Sequence, residues 1–167
     1  VVSYNCNGLL YVTSGRKTKM KTNRPTIALS GGFDPPTKGQ IAMIQEAAQM
    51  ADVVIILNSN EWCATRRWDG KNFLPFEKRK NILLQVPGVI NVIPAEDSDG
   101  TVCKTLKSLK PDFFGNGGTR TLENTPEVEV CKEMGIGMLF FLGKNHVTSS
   151  EEVLSQAISL SQNNSNE

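Results

Sequence analysis

The segment DVVIILN, residues 52–58, places five apolar side chains in succession at Val53–Leu57, four of them β-branched. A strand with one face in water alternates apolar and polar residues, whereas an unbroken run needs cover on both faces, as in the centre of a parallel sheet. Parallel neighbours must be joined by crossovers, and crossovers bring helices to the faces, so this run alone restricts the chain to an α/β architecture. The neighbouring segments meet that requirement. Thr26–Leu29 is a short apolar run that ends at a glycine turn, and Ile41, Ile44 and Ala48 then recur at helical spacing over residues 38–50. Pro75 opens a predicted helix through Val86, because proline at the first helical position loses no hydrogen bond there. Val89–Ile93 is the third predicted strand, and a turn at Asp99-Gly100 leads into a helix over residues 102–109.

The same alternation continues to the end of the chain. Asp112–Gly115 reads as a strand running into a second glycine loop, and Thr125-Pro126 reads as a helix start, threonine capping and proline at the first helical position. That helix should stop at Gly135, Met138–Leu142 should be the fifth strand, and Ser149 with Glu152 has the form of a capping box for a last helix. The expected fold is a Rossmann-like five-stranded parallel sheet with helices on both faces, occupying residues 26–160.

Residues 1–25 form a basic arm: Arg16, Lys17, Lys19, Lys21 and Arg24 fall close together without an acid. Such an arm suits phosphates or an acidic protein surface. It is expected to dock on neighbouring copies, giving a homo-oligomer or a larger assembly, with residues 161–167 as a polar tail. The net charge of +1 gives no general reason to expect nucleic-acid binding. The longest apolar run is far too short to span a bilayer, and the first twenty residues lack an apolar signal core. The four cysteines, Cys6, Cys63, Cys103 and Cys131, are scattered and form no C-x-x-C pair, so neither a zinc site nor a disulfide framework is expected. Free thiols fit a reducing compartment, the cytoplasm or the interior of a virus-infected cell or particle.

In a doubly wound sheet, ligands sit at the carboxyl ends of the strands. The loop after the first strand is Ser30-Gly31-Gly32-Phe33-Asp34-Pro35-Pro36-Thr37-Lys38-Gly39-Gln40, whose glycines admit a phosphate close to the backbone ahead of a helix N-terminus. Its pattern resembles the G-x-F-D-x-x-H-x-G-H motif of the cytidylyltransferase-like nucleotidyltransferases. The likeness continues in order along the chain. Asn58-Ser59-Asn60-Glu61-Trp62 is similar to that family's N-S-D-E-W stretch, and Leu74-Pro75-Phe76-Glu77-Lys78-Arg79 to its P-x-E-x-R helix start. Asn116-Gly117-Gly118-Thr119-Arg120 resembles its G-G-D-R loop, and Val147-Thr148-Ser149-Ser150 its I-S-S-S or I-S-T-T loop.

The resemblance implies in-line attack by a phosphorylated sugar or polyol on the α-phosphate of CTP or ATP, with magnesium assisting pyrophosphate departure. It implies phosphate or nucleotide contacts from Gly31, Gly32, Phe33, Asp34, Gly117, Gly118, Thr119, Arg120, Thr148, Ser149 and Ser150, with Asp34 bracing its loop. No metal ligand is assigned to the protein. The motif's two histidine positions hold Thr37 and Gln40, and Thr119 stands where the second loop carries aspartate. Thr37, Lys38 and Gln40 are therefore the catalytic candidates, with Lys38 the only cation among them, or else an ordinary exposed lysine. A positioned acid or base contributes about 10² to 10⁴ in rate, so losing one raises the barrier by roughly 3 to 5 kcal/mol. The expectation is an impaired enzyme, or a pseudoenzyme retained for assembly. His146 faces a bound phosphate or is incidental. Trp62 packs beside a ligand or in the core. Arg66, Arg67 and Arg79 clamp anions or are ordinary solvated charges.

Overall fold

A computed structural model describes residues 24–143, together with the backbone of two short strands, Val2–Tyr4 (β1) and Leu10–Val12 (β2). These two pair antiparallel as a two-stranded sheet of their own. The docking role expected of residues 1–25, the Thr148–Ser150 loop, His146, the Ser149/Glu152 capping box and the polar tail lie outside the described residues.

The main sheet contains five parallel strands: β3 (Thr26–Gly31), β4 (Asp52–Leu57), β5 (Val89–Pro94), β6 (Phe113–Gly117) and β7 (Gly137–Leu142). Their order is β5-β4-β3-β6-β7, so the chain winds outward from β3, returns to the other side of it and winds outward again. The register pairs Ile27 with Val53 and with Phe113 across the three central strands.

Period-two alternation along β3 divides the core between the two faces of the sheet. Ile27 and Leu29 pack with Val53, Ile55 and Leu57 beneath α1 (Lys38–Met50) and α3 (Phe76–Leu84), which contribute Met43, Ile44, Ala47 and Leu83. Ala28 and Ile56 pack on the opposite face with Phe114, Leu106 from α4 (Cys103–Leu109) and Cys131 from α5 (Val128–Met134). The Val53–Leu57 run is thus buried on both sides, as its composition requires.

Four local expectations change. A six-residue helix, α2 (Asn60–Thr65), follows β4, capped by the Ser59 hydroxyl, which accepts from Trp62 N at 3.0 Å. Thr125 does not cap α5. Its hydroxyl donates to Thr121 O at 2.7 Å, so residues 125–127 make a turn and the helix begins at Val128. Pro75 is the residue before α3 rather than its first residue, and that helix stops at Leu84. The fourth strand of the sheet, β6, reaches Gly117, so the second glycine segment starts as strand. Gly135, at φ +67°, does terminate α5 in the left-handed conformation.

Candidate active site

The winding reverses between β3 and β6, where their carboxyl ends part, and a cleft of about 240 Å³ opens there. Ser30 from β3 and Asn116 and Gly117 from β6 form its floor. Thr37, Gly39, Gln40 and Met43 supply one wall from the start of α1, while Gly118, Arg120 and Glu127 approach from the segment before α5. Leu142 and Gly143 close the remaining side. Gly117 is required here by space: a Cβ would lie 2.7 Å from Met43 Sδ and 2.9 Å from Leu142 O.

At the head of α1, the residues in the histidine positions bond to each other's backbone. Gln40 N donates to Thr37 Oγ1 at 3.2 Å, and Thr37 N donates to Gln40 Oε1 at 2.9 Å, a complete capping box. Thr37 is buried by this arrangement. The box leaves the amides of Lys38 and Gly39, which have no intrahelical acceptor, at the positive end of a thirteen-residue helix. Lys38 is exposed and is not part of the cleft lining, so the structure separates it from Thr37 and Gln40.

The first glycine loop is held from below. Asp34 is buried and accepts from Phe73 N at 2.7 Å and Leu74 N at 2.5 Å, tying the loop to the segment before α3. Phe33 is buried with φ +49°, its ring against Gly31. Gly32 faces Trp62 and Cys63, where a Cβ would stand 3.2 Å from the indole and 3.0 Å from the sulfur. These residues shape the loop, and none of Gly31, Gly32, Phe33 and Asp34 lines the cleft.

Arg79 corrects its reading as a solvated charge, because it is fully buried. Its guanidinium donates to Leu74 O (2.9 Å), Gly32 O (2.7 Å), Asn58 O (2.8 Å) and Asn60 Oδ1 (2.8 Å), joining the ends of three segments. Asn58 in turn donates to Asp97 Oδ2 at 2.9 Å, and the same oxygen accepts from Ser59 N at 2.8 Å. Four residues at or beneath the site have no role in the sequence reading: Asp97 and Glu127, which no motif includes, and Ser30 and Asn116, which only open the quoted glycine loops. Only proximity in the fold gives them a place at or beneath the site.

Arg120 reaches the cleft, with Nη1 on Asn124 O at 3.1 Å, whereas Thr119 is exposed on the turn and does not line it. Arg66 lies 4.6 Å over the Trp62 ring, and Trp62 itself is half-buried. Cys63 and Cys131 are free thiols whose burial pushes each pKa up to about 11, for Cys63 against the pull of the Arg79 cation. Neither is a ready nucleophile. Among the described residues no three His, Cys, Asp or Glu side chains converge on a metal position. No helix among them is long and apolar enough to cross a membrane.

This fold and the placement of its glycine loops define a nucleotidyltransferase-type α/β domain. The family model for cytidylyltransferase-like proteins matches residues 28–136, well over half of the chain, and the chain belongs to that family. Similar solved structures include a lipopolysaccharide core biosynthesis protein from Thermoplasma volcanium GSS1. It is 19% identical with a TM-score of 0.56, over 71% of this chain and 97% of that one, a likeness of fold. Among curated proteins no sequence match is found.

Proposed function

We propose that the chain binds a nucleoside triphosphate, CTP or ATP, in the cleft between β3 and β6, and that it transfers the nucleotidyl group to a phosphorylated sugar or polyol slowly or not at all. The capping box carries this reading. Thr37 and Gln40 occupy the two positions from which imidazoles would meet the phosphates, and each side-chain oxygen accepts from a backbone amide of the other residue. Neither side chain carries charge, so neither can supply the cationic stabilisation a developing phosphoryl charge needs.

What remains suits binding. The Gly39 amide, the helix dipole and Arg120 present positive potential to an anion in the cleft. Magnesium accompanies such a nucleotide by neutralising phosphate charge, and it commonly uses phosphate oxygens and water rather than a protein cage. Sugar or polyol phosphates are the acceptor class implied by the sequence motifs.

The test is pyrophosphate release with CTP, ATP, GTP and UTP against a panel of sugar and polyol phosphates, beside nucleotide binding by calorimetry. The natural chain should bind CTP or ATP yet turn over at least about 100-fold more slowly than a Thr37→His, Gln40→His double variant. Equal, robust turnover by both would refute the impairment. Failure of all four nucleotides to bind would refute the binding function.

A further inference from the structure

Glu127 is the one carboxylate among the described residues that line the cleft, and its charge opposes the phosphates the rest of the cleft would attract. It is only 6% exposed. Its Oε1 accepts from Val102 N at 3.1 Å, and no lysine, arginine or histidine among the described residues forms an ion pair with it. An ionised carboxylate has about four acceptor sites, so one amide leaves most of its capacity unused. Neither Glu127 oxygen is both fully buried and unpartnered, so the unused capacity is open to donors that enter the cleft.

A nucleoside triphosphate divides into an acceptor-rich end and a donor-bearing end. The phosphates belong with the first turn of α1 and Arg120, because a carboxylate beside them would add repulsion. The donors available to Glu127 are the paired hydroxyls of the ribose and the amino group of the base. Base recognition favours an apolar or aromatic slot, and the described lining contains no aromatic side chain. The lining also contains Asn116, Gly117 and Gly118, polar or small residues that suit a polyhydroxyl ring.

We infer that Glu127 accepts hydrogen bonds from the ribose hydroxyls of the bound nucleotide and makes the cleft selective for ribonucleotides over deoxyribonucleotides. This rests on the nucleotide-binding function proposed above. Glu127→Gln is the informative variant, since its amide oxygen can still accept from Val102 N while the charge is lost.

Calorimetric titration of the natural chain and Glu127→Gln with CTP, ATP and their 2′-deoxy counterparts, at fixed magnesium, separates the outcomes. The natural chain should prefer the ribonucleotide by about tenfold or more, the scale of a hydrogen bond to a charged group. The variant should fall below about threefold with its Tm nearly unchanged. Nucleotide binding without a ribose preference in the natural chain overturns the inference and leaves the binding function standing. A variant that melts early and weakens ribo- and deoxynucleotides equally assigns Glu127 to structure alone and also overturns it. An altered magnesium dependence with the ribose preference intact does the same. Binding of none of the four nucleotides refutes the functional reading first, and the inference with it.

Discussion

Replacing Arg79 with methionine should be among the most damaging single changes that leave the cleft lining untouched. Methionine fills much of the volume of the arginine stem but donates nothing. Asn58 O loses its donor and Gly32 O keeps only the Cys63 thiol at 3.9 Å, whereas Leu74 O and Asn60 Oδ1 lose one of two donors and keep Asn72 Nδ2 at 3.0 and 3.5 Å. Unsatisfied buried acceptors cost about 1 to 3 kcal/mol each, and two near the middle of that range, with the weakened contacts of the other two, give roughly 4 to 5 kcal/mol. Removing a desolvated cation offsets part of that, leaving a net loss of about 3 to 4 kcal/mol. For a chain of this length each kcal/mol moves Tm by about 2 to 4 °C, so a fall near 10 °C is expected. Urea unfolding should report the loss as a lower midpoint with an unchanged m value. Arg79→Lys, which keeps a charge but cannot span all four acceptors, should fall between. A loss of less than about 1 kcal/mol for Arg79→Met would show that water or relaxation satisfies these carbonyls, and the reasoning would fail.

Thr37→Ala should cost about 1 kcal/mol by removing the Oγ1 that accepts from Gln40 N, readable in the same urea experiment. No measurable change would show that the hydroxyl contributes nothing to holding α1. Stability should also fall as pH rises between about 9 and 11. There the unfolded Cys63 and Cys131 thiols ionise while the folded ones, with pKa values pushed up to about 11, stay protonated, so the native state binds more protons. Comparing unfolding at pH 8 and pH 10.5, a Cys63→Ala, Cys131→Ala variant should show a smaller fall than the natural chain. An identical fall would assign the effect to other groups.

The sheet was legible because each strand is short, apolar and set off by a glycine or a helical period, and Val53–Leu57 could be placed centrally from composition alone. Helix α2 escaped because six residues show little period, and Cys63 is the only buried side chain in it. Thr125-Pro126 looked like a helix start from local propensity. In the fold, the bond from Thr125 to Thr121 O makes a turn there instead. Arg79 could not be told from a surface arginine, since two of its partners lie 21 and 47 residues away. The Thr37/Gln40 box is visible in the sequence as T-x-x-Q, at the same positions that hold histidine in the family motif. A local hydrogen-bond pattern and a lost chemical group are the same four letters, and only coordinates show which bonds form.

That box also bears on how the chain can change. A helix cap and a pair of imidazoles compete for the same two residues, so folding stability and phosphate chemistry draw on one pair of positions. Substituting histidine at position 37 alone removes the threonine acceptor, and doing so at position 40 alone removes the glutamine that answers it. Each single step breaks half the box before a second imidazole is present. The pair therefore works as a ratchet, easy to hold and costly to reverse one residue at a time.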